Sequence, residues 1–314
     1  MNFKEEQKER VKEIEEILEY YLPKEEGFQK IVMEAMNYSV RAKGKRLRPM
    51  LMLETYRLFD GKEALIEPFM AAIEMEQTYS LVHDDLPAID NHRYRRGRET
   101  THIVYGHAMG ILAGDALLNY AFQMMEEAYK KLKEMEPIIG KEAFFEWLER
   151  IVQAQGILAK KAGIYGMLGG QVVDVQATEQ QKVLTKEQLQ FVYQLKTGAL
   201  IEGAMMIGAF MAGASKEEIL IVEQIARKVG VAFQIQDDIL DVTSTTEVLG
   251  KPVLSDEKNH KVTYVSLKGM VYSKEQVEQL SKEAIWLLED LERKRNRENP
   301  FLKELLLWLI YREK

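Results

Sequence analysis

The chain of 314 residues contains no cysteine, which excludes disulfide bonds and thiolate metal sites. This fits a reducing compartment, and the charged stretch 1–23 lacks the apolar core of a signal peptide, so we expect a cytoplasmic protein. Basic residues are also in deficit, because 43 Lys and Arg stand against 50 Asp and Glu. An acidic chain is not typical of nucleic-acid binders, so we predict no nucleic-acid partner.

Proline is scarce, with seven in the chain, and several stand where helices would begin or end. Between them apolar residues recur every three or four positions, as Ile235 and Ile239 do. We find no sustained two-residue alternation bounded by hairpin turns, and no linker of Gly, Ser and Pro. The pattern predicts an all-α fold, with residues 1–314 forming one large single-domain helical bundle.

Two apolar stretches, 102–122 and 197–215, could be mistaken for membrane spans. The first contains two histidines and Asp115, and the second contains Glu202 among many Gly and Ala residues. Internal charge and small residues favour buried helices that approach other helices closely. We therefore predict no membrane span.

Two clusters of aspartate, each on an otherwise apolar helix, indicate a metal site. Pro87 ends the first helix and lets the chain turn Asp90 back toward Asp84. In the second cluster, helical spacing places Gln234 and three aspartates on one stripe. Hard oxygen ligands suit Mg²⁺, with Mn²⁺ as a substitute, and Mg²⁺ shares its ligand shell with phosphates. The clusters are Asp84, Asp85 and Asp90, and Asp237, Asp238 and Asp241.

Four basic clusters would supply the donors that a diphosphate needs. We expect Gly44 to end a helix, so that Lys45 and Arg48 lie at the N-terminus of the next one. Lys196 and Thr197 interrupt an apolar helix. Any one cluster, acidic or basic, could be a solvated surface, but together they indicate metal beside diphosphate. The basic clusters contain Gly44, Lys45 and Arg48; Arg95 and Arg96; Lys196 and Thr197; and Lys251 and Lys261.

The chain resembles the trans-isoprenyl diphosphate synthases of the polyprenyl synthetase family, and most of all the bacterial farnesyl diphosphate synthases. The resemblance rests on GKRLRP (44–49), YSLVHDDLPAIDNHRYRRGRETTH (79–102), ILAGDAL (111–117), GGQVVDV (169–175), KTGAL (196–200), FQIQDDILD (233–241) and LGKPVLSDEKNHKVTY (249–264). It implies a helical bundle of the isoprenoid synthase type with a central active-site cavity, and a homodimer. It also implies head-to-tail condensation of isopentenyl diphosphate with dimethylallyl and geranyl diphosphate to make farnesyl diphosphate.

The resemblance further implies roles for single residues. Three Mg²⁺ ions would be held through Asp84, Asp90 and Asp237, and the catalytic set would comprise all six aspartates with Lys196 and Thr197. Arg95 would bind the allylic diphosphate and Arg96 the isopentenyl diphosphate. The isopentenyl site would also include Gly44, Lys45, Arg48 and Gln77. The allylic site would include Lys196, Thr197, Phe233, Gln234, Lys251 and Lys261, and behind these ligands would stand Gln171 and Asp174.

Gln77 departs from the family pattern, because bacterial relatives often have histidine there. Glutamine can donate a hydrogen bond to a diphosphate but cannot become cationic. His83, beside the first aspartates, is expected to be a packed or hydrogen-bonded helix residue rather than a metal ligand.

Product length depends on the depth of the apolar tunnel. Tyr79, five residues before Asp84, resembles the floor for a fifteen-carbon product, although it could also be an ordinary core aromatic. The adjacent Ser80 is small, so a geranylgeranyl diphosphate synthase with a twenty-carbon product remains an alternative. A terpene cyclase and a noncatalytic partner subunit fit less well, because the isopentenyl motif and both carboxylate sets are present. A di-metal carboxylate bundle needs Glu and Glu-x-x-His pairs on facing helices, an arrangement that we do not find.

Overall fold

The computed structural model of the chain describes residues 2–180, 182–243 and 263–311, which are almost wholly helical. The helices are α1 (Phe3–Tyr21), α2 (Lys30–Val40), α3 (Leu47–Leu58), α4 (Glu67–Asp84), α5 (Thr101–Tyr105), α6 (His107–Ala162), α7 (Met167–Glu179), α8 (Lys186–Val192), α9 (Ala199–Met211), α10 (Lys216–Thr243), α11 (Tyr264–Lys268), α12 (Met270–Arg295) and α13 (Pro300–Tyr311). A short 3₁₀ turn (Ala64–Ile66) precedes α4, and a π-helical turn (Tyr193–Gly198), here called the π-turn, joins α8 to α9. The predicted all-α class is confirmed.

Strand structure is limited, within the described ranges, to one small hairpin. Its strands β1 (Tyr94–Arg95) and β2 (Arg98–Glu99) are antiparallel and pair Arg95 with Arg98. Arg96 and Gly97 form the turn, and both have positive φ angles, 53° and 79°. The hairpin therefore projects two of the predicted phosphate-binding arginines from a tight turn beyond the end of α4.

Local sequence explains where several helices begin and bend. Capping boxes start α1 at Asn2, α8 at Thr185 and α11 at Thr263, each with its side chain accepting a backbone N–H three residues on. The long helix α6 contains Pro137, and Gly140 has φ 81° and ψ 168°, outside the helical region. These two residues divide α6 into two helical parts.

The apolar stretch 197–215 forms α9, which is buried along nearly its whole length. Its one charged residue, Glu202, is 3% exposed and accepts hydrogen bonds from Lys161 of α6 and from Arg227 of α10 at 3.1 Å. A buried carboxylate in an apolar helix is thus paired, as buried charges must be. The predicted core helix is confirmed, and no helix in the described ranges is long and apolar enough to cross a membrane.

The stretch 102–122 is buried on one face only. Ala113, Leu117 and Ala121 of α6 are completely buried, whereas Ile111 and Leu112 are each 48% exposed. The expectation of a buried helix is therefore wrong for the outer face, because helical periodicity turns these two apolar side chains away from the α4–α6 contact.

Candidate active site

A cavity of about 280 Å³ lies between α3, α4, α7 and the π-turn. Its lining includes the polar side chains of Asp84, Gln171 and Lys196, together with apolar side chains from the loop after α4 and from α7. Residues from four separate sequence motifs therefore meet around one space. The predicted site residues that line it are Arg48, Gln77, Tyr79, Ser80, Asp84, Lys196 and Thr197.

Asp84 is the last residue of α4, and its carboxylate lines the cavity. Its backbone carbonyl accepts the N–H of Asp90 at 2.9 Å, so the chain turns back after Pro87 as predicted. Its side chain accepts the Gln171 amide at 2.6 Å. Burial raises the pKa of Asp84, against the opposing charge of Lys196. A bound cation would stabilise the ionised form of this carboxylate.

The first aspartate cluster fits Mg²⁺ better than a metal held by protein ligands alone. In the part of the chain that the structure describes, no three His, Cys, Asp or Glu side chains form a complete metal site. Mg²⁺ is usually bound by one or two carboxylates and completed by water and substrate phosphates. Asp84 and Asp90, brought together by the turn, offer such a partial set of oxygen donors.

Asp85 binds an arginine. It is 4% exposed and accepts the Arg95 Nε–H at 2.8 Å on each of its two oxygens. Burial opposes the charge of Arg95, but the hydrogen bond and charge of Asp85 outweigh it and raise the pKa of Arg95. Asp85 therefore orients the β1 arginine, and this pairing explains part of the acidic–basic sequence in residues 84–96.

The basic loop before α3 is held by Arg46, which the sequence analysis missed. Helix α2 ends at Val40, so the expectation that Gly44 ends a helix is wrong. Arg46 has φ 48° and is 4% exposed, and it donates to the Glu74 carboxylate and the Val40 carbonyl, each at 2.8 Å. These buried bonds offset the strain of a left-handed non-glycine residue. They place Arg48 in the first turn of α3, as predicted.

Basic side chains come close together beside this loop. A Cβ on Gly44 would lie 2.8 Å from Arg96 Nη1, so a larger residue would require the Arg96 side chain to move. Burial lowers the pKa of Arg96, and it lowers the pKa of Arg48 to about 10, so that Arg48 stays cationic at neutral pH. Among the described residues, Arg48 Nε and Gln77 Oε1 are buried without hydrogen-bond partners. Buried polar atoms of this kind, at a cavity wall, indicate a bound polar ligand.

Lys45 lies on the outer side of the same loop. Its Nζ is 5.0 Å from the ring centroid of Trp308 on α13, a cation–π contact. The C-terminal helix thus reaches the loop that carries the predicted isopentenyl ligands. No pattern in the sequence linked these two regions.

Lys196 and Thr197 lie in the π-turn, which interrupts the α-helical geometry between α8 and α9 without ending the helical path. Lys196 Nζ donates to Asp174 at 2.6 Å, and Thr197 Oγ1 donates to Gln234 at 2.9 Å. Burial opposes the charge of Lys196, but Asp174 and Asp84 raise its pKa. π-Helical turns are often found at functional sites, and this one aims a cation at the cavity.

Two glycines allow neighbouring helices to pack closely against the backbone of the π-turn. A Cβ on Gly170 of α7 would lie 2.3 Å from the backbone N of Lys196. A Cβ on Gly230 of α10 would lie 2.9 Å from the Cα of Gly198. Since real Cβ contacts are not this short, both positions need glycine for the observed packing.

The second aspartate cluster does not form one exposed stripe, which corrects the expectation from helical spacing. Asp237 is half-buried, whereas Asp238 and Asp241 are each 2% exposed. Asp238 accepts hydrogen bonds from the Tyr193 hydroxyl and from the Tyr264 N–H, the latter at 2.7 Å. The π-turn and α11 cover this side of α10, which spacing along one helix could not show. Phe233 is half-buried against the core, and Lys251 and Lys261 lie outside the described residues.

Other cavity residues were missed or assigned differently by the sequence. Ile89, Met167 and Leu168 supply the apolar wall, and their only signal was membership of apolar runs. His83 lies with its Nε2 3.1 Å from the Ile111 carbonyl and its ring edge-on to Tyr79. It is a packed, hydrogen-bonded helix residue, as expected.

Residues 29–296 match the family model described as Polyprenyl synthetase. The chain belongs to the polyprenyl synthetase family. It is 41% identical over 264 residues to a farnesyl diphosphate synthase of Geobacillus stearothermophilus, covering 84% of each chain. It is 43% identical over 253 residues to a chloroplastic geranylgeranyl pyrophosphate synthase of Catharanthus roseus, covering 81% of this chain and 67% of the relative.

Solved structures of this family superpose over nearly the whole chain. An FPP/GFPP synthase from Zymomonas mobilis has a TM-score of 0.81 at 28% identity, covering 98% of this chain and 99% of that one. A geranyltransferase from Helicobacter pylori, complexed with magnesium and isoprenyl diphosphate, has a TM-score of 0.78 at 28% identity, covering 99% and 97%. The implied isoprenoid synthase fold is confirmed.

Proposed function

We propose that the chain is a trans-prenyl diphosphate synthase that condenses isopentenyl diphosphate with dimethylallyl and then geranyl diphosphate, and releases farnesyl diphosphate. The observation that carries the proposal is the mixed lining of the cavity. The charged side chains of Asp84 and Lys196 line it together with Tyr79 and apolar side chains. Such a cavity suits a ligand with an anionic head and a hydrocarbon tail.

The charged residues of this region would bind the diphosphates. Arg48 and Lys196 line the cavity and are half-buried, and Arg96 lies beside Gly44 of the basic loop. Asp84, Asp90 and Asp237 would hold Mg²⁺, three ions in all, together with diphosphate oxygens. When bound, Mg²⁺ neutralises the charge that grows on a departing diphosphate, and Mn²⁺ could substitute for it.

The residues of the cavity would serve each step of the reaction. The allylic C–O bond breaks and its electron pair leaves with the diphosphate. The double bond of isopentenyl diphosphate attacks the allylic cation, and a proton then leaves to the released diphosphate, so no side-chain base is needed. Thr197, bonded to Gln234, places polar oxygens near the cation, while Met167 and Leu168 help to exclude water.

Product length is the part of the proposal that the family leaves open, because its members here are named both farnesyl and geranylgeranyl synthases. Tyr79 supports the shorter product. It lines the cavity, is 8% exposed, and its ring packs edge-on against His83 at 5.9 Å. A fixed ring in that wall occupies volume that a fourth isoprene unit would need.

The test is a product assay. Purified protein is incubated with Mg²⁺, isopentenyl diphosphate and dimethylallyl diphosphate, and the alcohols are identified after dephosphorylation. We expect mainly farnesol, and no product when a chelator replaces Mg²⁺. Mainly geranylgeraniol would contradict the product assignment while keeping the reaction. No condensation by folded protein with metal would contradict the proposed function itself.

We also propose that the chain forms a homodimer. The outer face of α5 and the start of α6 exposes apolar side chains, among them Ile103, Val104, Ile111 and Leu112. Several exposed apolar side chains on neighbouring helices are typical of an interface between subunits. Light scattering coupled to gel filtration should give twice the chain mass of 36.4 kDa, and a monomeric mass would contradict the proposal.

A further inference from the structure

The π-turn and α10 run antiparallel and are joined by three contacts. Gly198 lies against Gly230, Thr197 donates to Gln234 at 2.9 Å, and the Tyr193 hydroxyl donates to Asp238. The partners on α10 lie four residues apart, so they share one face of that helix. The contact of Tyr193 with Asp238 is the last of the three.

Asp238 also binds a third element. The N–H of Tyr264, the first residue of α11, donates to Asp238 Oδ2 at 2.7 Å and lies 3.3 Å from the Tyr193 oxygen. All three residues are buried, with Asp238 at 2%, Tyr264 at 5% and Tyr193 at 6% exposure. One carboxylate oxygen therefore accepts hydrogen bonds from both neighbouring elements. Hydrogen bonds to a buried carboxylate are among the stronger ones in proteins.

We propose that Tyr193 and Asp238 are positioning residues that lock the register of the π-turn against α10, and so set where Lys196 and Thr197 enter the cavity. This inference rests on the proposed function for its catalytic consequence. It differs from the plain expectation for an aspartate-rich motif, in which Asp238 would act through metal. The proposal leaves the metal-binding role to Asp237, which is half-buried rather than fully buried.

The substitutions separate the two roles of an aspartate. Asparagine keeps an oxygen that accepts from Tyr193 and Tyr264, but it is a poor ligand for Mg²⁺. We therefore expect Asp238→Asn to lose at least tenfold less turnover than Asp238→Ala, with an unchanged Mg²⁺ concentration for half-maximal rate. Asp238→Ala should lose roughly 100-fold in turnover, the scale expected when a catalytic group moves by about 1 Å. Tyr193→Phe should lose about tenfold by the same reasoning.

Tyr56→Phe is the matched control. Tyr56 is 2% exposed and its hydroxyl also donates to a carboxylate, that of Glu63, at 3.0 Å, but it lies at the end of α3 and does not line the cavity. Removing this hydroxyl in Tyr56→Phe should lower the thermal midpoint as Tyr193→Phe does. Turnover and the Mg²⁺ requirement should stay unchanged. A general effect of losing a buried tyrosine hydroxyl is thereby separated from a positional one.

Amide hydrogen exchange gives a readout that needs no activity. In wild type the Tyr264 amide should exchange slowly, because its N–H is buried and bonded to Asp238. Exchange there should quicken at least tenfold in Asp238→Ala and Tyr193→Phe, but not in Asp238→Asn or Tyr56→Phe. If wild type shows no prenyl transfer, the proposed function fails and this exchange pattern still decides the register lock.

The proposal would be contradicted if Asp238→Asn were as inactive as Asp238→Ala and its Mg²⁺ requirement rose more than tenfold, while Tyr193→Phe behaved as wild type. Asp238 would then act through the metal. If Asp238→Ala does not fold, Asp238→Asn and Tyr193→Phe decide the matter by the same measurements.

Discussion

Replacing Gly170 with alanine should displace Lys196 without touching any charged group. The added Cβ would lie 2.3 Å from the Lys196 backbone N and 2.8 Å from its Cα. Ordinary van der Waals contact begins at 3.4 Å, so α7 and the π-turn must separate by about 1 Å. Both contacts are with backbone atoms, and no flexible side chain can yield instead.

The magnitude follows from this shift. A misplacement of about 1 Å can cost 100-fold in rate, equivalent to about 2.7 kcal/mol in the activation barrier. Overpacking a buried contact typically costs about 1–3 kcal/mol in the free energy of unfolding. We therefore expect Gly170→Ala to fold with reduced stability and to lose roughly 100-fold in kcat/KM for the allylic diphosphate.

The assay is steady-state kinetics with each substrate varied in turn, together with thermal unfolding. Gly156→Ala in α6 is the matched control, because an added Cβ there meets no atom within 4 Å. This exposed helical position should gain about 0.5–1 kcal/mol in stability with full activity. Wild-type kcat/KM in a folded Gly170→Ala variant would refute the claim that the position of Lys196 governs the reaction.

Three further predictions concern titration and charge. Asp84 has a raised pKa, so its ionised form is disfavoured by the fold; Asp84→Asn should raise the thermal midpoint at pH 7 in metal-free buffer while turnover falls by orders of magnitude. Burial raises the pKa of Glu76 to about 8 from 4.5, so its ionisation costs stability as pH rises from about 4.5 to 8. Glu76→Leu should therefore gain more unfolding free energy at pH 9 than at pH 5, by up to about 4 kcal/mol in denaturant titrations. Gln77→His should lower the KM for isopentenyl diphosphate at pH 6 but not at pH 8, because only protonated imidazole adds a cation. Equal midpoints for Asp84→Asn and wild type, equal gains at both pH values for Glu76→Leu, or a KM shift independent of pH would each contradict its prediction.

The fold class and the meeting of motifs could be predicted from the sequence. Helical spacing and a proline after α4 are local signals, and they correctly indicated that the chain turns Asp90 back to Asp84. The joining of residues 48, 84 and 196 around one cavity followed from the motif set, since oppositely charged clusters on apolar helices need a shared ligand.

The orientation of individual side chains could not be predicted in the same way. Helical spacing assigned Asp238 and Asp237 to one stripe, but which of them faces the protein depends on the π-turn and α11, elements distant in sequence. The contact of Lys45 with Trp308 likewise joins opposite ends of the chain. The role of Arg46 depends on a left-handed backbone that spacing does not indicate.

The most direct test of the account is the product made by Tyr79→Ala. An apolar cavity of about 150 Å³ holds a benzene-sized group, so removing this ring frees space of the order of one five-carbon unit. The account predicts that wild type releases mainly farnesyl diphosphate and that Tyr79→Ala shifts the main product to twenty carbons. An unchanged product profile in a folded, active Tyr79→Ala variant would contradict the assignment of this cavity wall as the end of the prenyl tunnel.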